Sequence, residues 1–287
     1  MDINKIIEQH KLWLDTDGEE GTRANLTDEN LADENLSGVN LSRAILTGVN
    51  FSRAILTGVN FSQANLNCAK LANACLTRAD MTHAMMDRAV LNRAKLNGVN
   101  LTNACLYDAK MFEANLDRAI MSCARMIGVN MRHAILDGAM LDGSFLSGAD
   151  MTYANLFRTN LTRANMTCTN LTRANLTRAN LTDANMFRAN LTDARLTRAK
   201  LDGANMDGVC GDSKHLKSLC CGTYPVVYTA DVMQIDCERH KIEDWWAFDD
   251  ASINTMGGKE ALKWWKDWKP ILQQIIATSP AIPTETR

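Results

Sequence analysis

Side chains able to bind a metal or to act as nucleophiles gather near the end of the chain. Cys210, His215, Cys220, Cys221, Cys237 and His240 lie there, and Cys237-Glu-Arg-His240 has the two-residue gap that zinc ligands use. The other spacings match no standard finger, so packed reduced thiols are the competing expectation, with Cys237 and His240 as the metal candidates. Upstream, His83 and His133 are the bases on offer, but no matched thiol and carboxylate set accompanies them. No glycine-rich phosphate loop, Walker-type lysine or paired-acid cleft is recognisable. The expectation is a non-enzymatic chain that needs no cofactor.

With 287 residues, 46% of them apolar, the chain is long enough for one large folded domain or two smaller ones. Nine cysteines, an odd number without paired spacing, argue against a disulfide framework. The N-terminal run from Met1 to Glu8 has neither the basic start nor the apolar stretch of a secretory signal, and no apolar run suits a membrane span. A cytoplasmic protein with no membrane contact is expected. Net charge is −2, distributed as 3 basic against 6 acidic before residue 24, 19 against 16 over 24–208, and 9 against 11 beyond.

What positions these residues is a repeat. From Leu26 in steps of five to Met206 there are 37 positions, held by 25 Leu, 10 Met and 2 Phe, without insertion. Two residues earlier stands Ala or Val in 32 of the 37 units, the exceptions being Glu29, Glu34, Ser144, Thr159 and Thr169. Asn is the commonest residue just before the centre, and Ser, Thr, Asp or Asn usually follow it. A step of five rotates successive centres by about 140° on an α-helix and alternates them between the faces of a strand, so neither element gives one apolar face. The chain must instead turn once per unit, with Leu26, Leu46, Phe51, Phe61, Leu101, Leu156, Leu176 and Leu191 among the side chains expected to fill a common axis.

Units such as Ala-Asn-Leu-Thr-Arg at 174–178 and Gly-Val-Asn-Leu-Thr at 98–102 resemble the A(D/N)LXX motif of pentapeptide-repeat proteins, over about two thirds of the chain. The resemblance implies an all-β solenoid, a right-handed quadrilateral β-helix with four units per coil. That means about nine coils and, at about 4.8 Å per coil, a rod near 45 Å long. Residues 23–208 form this domain in the expected layout. Residues 1–22 are a capping helix, started by Asp2 and carrying Ile6, Ile7, Leu12 and Trp13, and 209–287 a small, mainly α capping or interaction module. Within that module Pro225–Tyr228 reads as a strand, Asp231–His240 and Glu243–Phe248 as helical turns, and Lys259–Ala277 as a helix kinked or restarted at Pro270. Glu29 and Glu34 place carboxylates in the small inward column, so the first coil is expected to be partly open.

For function, the outward position before the centre is apolar at Ile45, Ile55, Met85, Val90, Ile120, Ile135, Met140 and Phe145, and polar from 150 to 205, which makes the middle coils a candidate contact surface. Trp245, Trp246, Trp264 and Trp268 are a second candidate. Arg78, Arg118, Arg158, Arg178 and Arg198 fall on one edge of a 20-residue coil. They read as a solvated stripe because acids lie close and no aromatic residues interleave, so direct nucleic-acid binding is not expected. The leading expectation is a scaffold for an unknown protein partner, monomeric because the bulky tail blocks end-to-end pairing. The resemblance implies an alternative, the inhibition or protection of DNA gyrase by mimicry of duplex DNA with resistance to quinolones or toxins. That mechanism asks for a more acidic surface. A phage-borne or secreted effector of a host protein is a third possibility.

Overall fold

The computed structural model describes residues 2–212, 214–221 and 223–283. From Asn25 to Cys210 every β-bridge is parallel and joins residues 20 apart, such as Asn25 to Ile45 and Asn30 to Asn50, so four five-residue units return the chain beside itself. Two hydrogen bonds make each rung: Leu26 N–H donates to the Ile45 carbonyl at 2.8 Å, and Ile45 N–H to the Ala24 carbonyl at 2.9 Å. Side by side, the coils satisfy the backbone groups that a lone extended segment would leave unpaired.

Each corner is a four-residue turn closed by a bond such as Ala44 N–H to the Leu41 carbonyl, 3.1 Å. The residue two after every centre has a positive φ, from Asp28 at 58° to Gly208 at 64°. A positive third residue is what a type II turn requires. Arginine fills this left-handed position more often than glycine does, and its N–H is held by the next coil, as in Arg43 N–H to the Ser62 carbonyl at 2.8 Å. The Asn before many centres accepts from the residue after it: Asn160 Oδ1 takes the Thr162 N–H at 3.2 Å and its hydroxyl at 2.7 Å. That local ring explains the Asn-x-Thr pattern.

The centres and their small partners form one continuous core from Ala24 to Val209. Opposite sides meet across it, for example Phe51 and Phe61 with ring centroids 5.7 Å apart. Polar members of the small column are absorbed one by one. Thr159 donates to the Leu136 carbonyl at 2.9 Å and Thr169 to the Leu146 carbonyl at 2.8 Å, whereas the buried Ser144 hydroxyl has no partner among the described residues.

Helix α1 (Ile3–Asp15), capped by Asp2 accepting from Lys5 N–H at 3.2 Å, lays Ile3, Ile6 and Ile7 on the first end of this core. Glu29 and Glu34 are exposed there, so their carboxylates stay in water.

At the other end stands an antiparallel sheet, ordered β1 (Lys217–Cys221), β2 (Tyr224–Tyr228), β3 (Val232–Ile235) and β4 (Glu238–Lys241), followed by α2 (Ile242–Ala247) and α3 (Asp250–Thr278). By residue count the tail is mainly helical, 35 residues in α2 and α3 against 18 in the four strands, but three of those strands lie outside the one expected at Pro225–Tyr228. Asp231–His240, expected as helical turns, is the β3–β4 hairpin, because Met233 and Ile235 pack into the tryptophan cluster on one face while Gln234 between them turns to the last coil. Val227 joins the coil core while Val226 and Tyr228 face the tryptophan cluster. The interruption of α3 falls at Gly258 (φ 74°, ψ −168°), a conformation reserved for glycine, and not at Pro270, which sits within the helix.

Candidate interaction surfaces

The 20-residue step decides which outward residues are neighbours. One side carries, coil by coil, Ile45, Asn65, Met85, Cys105, Arg125 and Phe145 before the centres. On the same side Tyr107 and Ile127 follow their centres, two apolar residues that a reading of the pre-centre column alone misses. Met85 (42% exposed), Ile127 (40%) and Phe145 (43%), with half-buried Tyr107, make a strip over four coils, about 14 Å at the spacing of paired strands. Asn165, Asn185 and Asn205 continue the side before the centres, and Thr167, Phe187 and Asp207 follow them, so half-buried Phe187, under Arg188, is the one large apolar residue there. The remaining expected residues lie elsewhere: Ile55 and Ile135 share a second side but are separated by Cys75, Lys95 and Asn115, and Ile120 pairs with Met140 on a third.

The tryptophans expected as an exposed surface are instead the core of the C-terminal module. Trp245 and Trp265 are each 3% exposed, and Trp246, Trp264 and Trp268 are half-buried against them. The indole N–H of Trp245 donates to the Met233 carbonyl and that of Trp264 to the Cys221 carbonyl, both at 2.7 Å, as buried indoles require.

Arg78, Arg118, Arg158, Arg178 and Arg198 do share one edge, with Gly98 and Gly138 between the first three. The edge is not without an aromatic residue, because Phe157 lies under Arg158 at 4.8 Å and Arg178 at 6.0 Å. A second edge is a ladder in which Arg93 pairs with Glu113 at 2.7 Å, His133 stacks on Tyr153 at 4.9 Å, and Arg173 covers Tyr153 and pairs with Asp193 at 3.2 Å. His133 is thus part of a surface stack.

Both ends are tied by polar side chains, His10 and Gln234 buried and Arg239 half-buried. His10, fully buried, receives the Ala24 N–H on Nδ1 at 3.1 Å, which places its proton on Nε2, 3.0 Å from the Ser42 carbonyl. Burial holds its pKa below the usual value. At the opposite end Gln234 Oε1 accepts from Met206 N–H at 2.9 Å and its Nε2 donates to the Asp236 carbonyl at 2.8 Å, while Arg239 donates to the Leu201 carbonyl at 3.0 Å. Burial lowers the Arg239 pKa, and Asp202 and Asp183 oppose that effect.

Of the metal candidates, Cys237 is exposed in the β3–β4 turn, whereas His240 is half-buried against Trp245 and Phe248, with Glu238 3.4 Å away. His215 is committed to Asp212 at 2.7 Å in a buried pair. The side chain of Cys220 lies outside the described residues. Among the described residues no three His, Cys, Asp or Glu side chains are grouped to hold a metal ion, and no helix is long and apolar enough to cross a membrane.

Parallel rungs at a 20-residue spacing, turned every five residues around a Leu/Met core, define a β-helix repeat protein. The family model for pentapeptide repeats matches eight copies between residues 22 and 210, and the chain belongs to that family. Among solved structures it is similar to HetL, a pentapeptide repeat protein involved in heterocyst differentiation regulation in the cyanobacterium Nostoc sp. strain PCC 7120. That match has 30% identity over 70% of this chain and 95% of HetL, with a TM-score of 0.41. It is also similar to a trypsin-treated variant of QnrB1, a plasmid-mediated fluoroquinolone resistance protein, at 18% identity over 66% of this chain and 90% of that one, with a TM-score of 0.50. No curated protein matches the chain in sequence.

Proposed function

We propose that the protein is a non-catalytic interaction protein whose 37 units wind into a right-handed four-sided solenoid of about nine coils and present the Met85–Tyr107–Ile127–Phe145 strip to a protein partner. Residues 1–22 and 209–287 serve as its caps. The observation that carries this reading is the gathering of outward apolar side chains on one side of four coils, whereas the position before the centre is polar throughout residues 150–205 and Tyr153, Phe157 and Phe187 lie singly beneath or beside arginines. The test is capture of partners from the source cell with the intact protein and with an Ile127→Asp/Phe145→Asp variant. A bound protein lost in the variant supports the strip, and an unchanged set of partners contradicts it.

Action on DNA gyrase is the second reading, prompted by the likeness to a fluoroquinolone resistance protein, which at this identity extends to the fold alone. Charge counts against it. Residues 44–204 carry 18 basic and 11 acidic side chains, a net +7, whereas 1–43 carry 4 and 10, a net −6. A duplex mimic needs acid along the rod. A supercoiling assay with and without a quinolone should show no effect of the intact protein; inhibition or rescue at low micromolar concentration would establish the gyrase reading.

A further inference from the structure

We propose that the C-terminal module contains a binding site for an alkylated ammonium group, trimethylammonium being the best fit. A cavity of about 60 Å³ lies between the β3–β4 turn and α3 at its glycine break. On a scale where one water needs about 10–15 Å³, it holds a group the size of about four to six waters. Of its twelve lining residues four are aromatic, Tyr224, Trp245, Trp264 and Trp265, and two are acidic, Asp236 and Glu238; the other six are aliphatic or small.

Three features select the ligand. The rings meet at angles, 73° between Tyr224 and Trp264 and 44° between Trp245 and Trp265, so the four are not one parallel stack, while Trp246 and Trp268 back Trp265 and Trp264. The N–H groups of Trp245 and Trp264 are both spent on backbone carbonyls, which fixes the rings before any ligand arrives. The lining includes two carboxylates and no Lys, Arg or His, and the Lys269 ammonium lies outside the lining, 5.5 Å from the Trp265 ring centre and bound to the Trp246 carbonyl. An anion would therefore meet like charge, and a primary ammonium would bring three N–H donors to a wall that, apart from the two carboxylates, is aromatic, aliphatic or small. An alkylated cation needs no hydrogen bonds, is attracted by the ring faces, and is neutralised by Asp236 and Glu238. The same group occurs on free choline-like molecules and on trimethylated lysine side chains.

Tryptophan fluorescence of the full chain, titrated with tetramethylammonium and then choline, tests the site. The expected result is a saturable change with a Kd of about 1 mM or tighter, well within what a ligand of so few atoms can reach. The response to 3,3-dimethylbutan-1-ol, the uncharged carbon analogue of choline, should be at least about tenfold weaker. Asp236→Asn/Glu238→Gln, a change at exposed and half-exposed positions, should lower choline affinity by a similar factor with the circular dichroism unchanged. A peptide bearing trimethyl-lysine, compared with choline, separates the sources: tighter binding of the peptide assigns a methylated protein, and tighter binding of choline a free metabolite. No saturable change in the folded protein, or equal binding of choline and its uncharged analogue, overturns the proposal.

Discussion

His10 illustrates how one side chain can fix the start of the rod. Its two ring nitrogens face an N–H donor and a carbonyl acceptor, an arrangement only the neutral imidazole satisfies. The unfolded side chain titrates near 6.5 and the folded one lower. Below 6.5 the unfolded state therefore binds more protons, so stability is lost as pH falls through that value and levels off beneath the folded pKa. We expect the thermal midpoint to drop between pH 7 and 5, and His10→Ala to cost about 1–3 kcal/mol at pH 7 while flattening part of that drop. An unchanged pH profile in the variant would show that His10 is not the titrating group. In the small inward column, Ser144→Ala removes a buried hydroxyl without a partner among the described residues and should stabilise by about 1 kcal/mol, whereas Thr159→Ala, which loses a bonded hydroxyl, should destabilise. Denaturant midpoints measure both signs.

At the scale of elements, the two ends were unequally legible. The repeat was readable because every unit carries its own inward pair and turn, and its elements need no distant information. The left-handed corner residues were not, since twelve of the 37 are arginine and the conformation is imposed by the neighbouring coil. The β3–β4 hairpin was missed for a related reason: Val232–Ile235 is short, and its identity as a strand depends on β2 on one flank, on the tryptophan cluster that Met233 and Ile235 enter, and on the coil end that Gln234 binds. Pro270 was a false signal for the break, and Gly258 the true one. His10 gave no signal, because its partners are backbone groups of distant residues. The sequence showed that outward apolar residues are concentrated in the middle coils. Only the pairing of residues 20 apart brought Tyr107 and Ile127 beside Met85 and Phe145. Gln234→Ala should strip the buried Met206 N–H of its acceptor and cost about 1–3 kcal/mol. Hydrogen exchange at Met206 should rise in that variant, and unaltered protection there would contradict the assigned role.

For the whole molecule, the caps and the strip follow from one constraint: a stack of coils buries its core only if both ends are covered. A chain ending at Gly208 should expose the Leu201–Met206 end of the core and self-associate, which sedimentation would detect; a stable monomer would show that the tail is not a cap. The central claim is that function resides in the strip on the middle coils. It is tested most directly by placing a photo-cross-linking amino acid, in turn, at Ile127, at Phe145, at Asn165 on the same side, and at Ile55 on another, and irradiating in the source cell. The account predicts one discrete adduct from Ile127 and Phe145 and none from Asn165 or Ile55. Adducts of equal yield at all four, or at Asn165 or Ile55 alone, would contradict it.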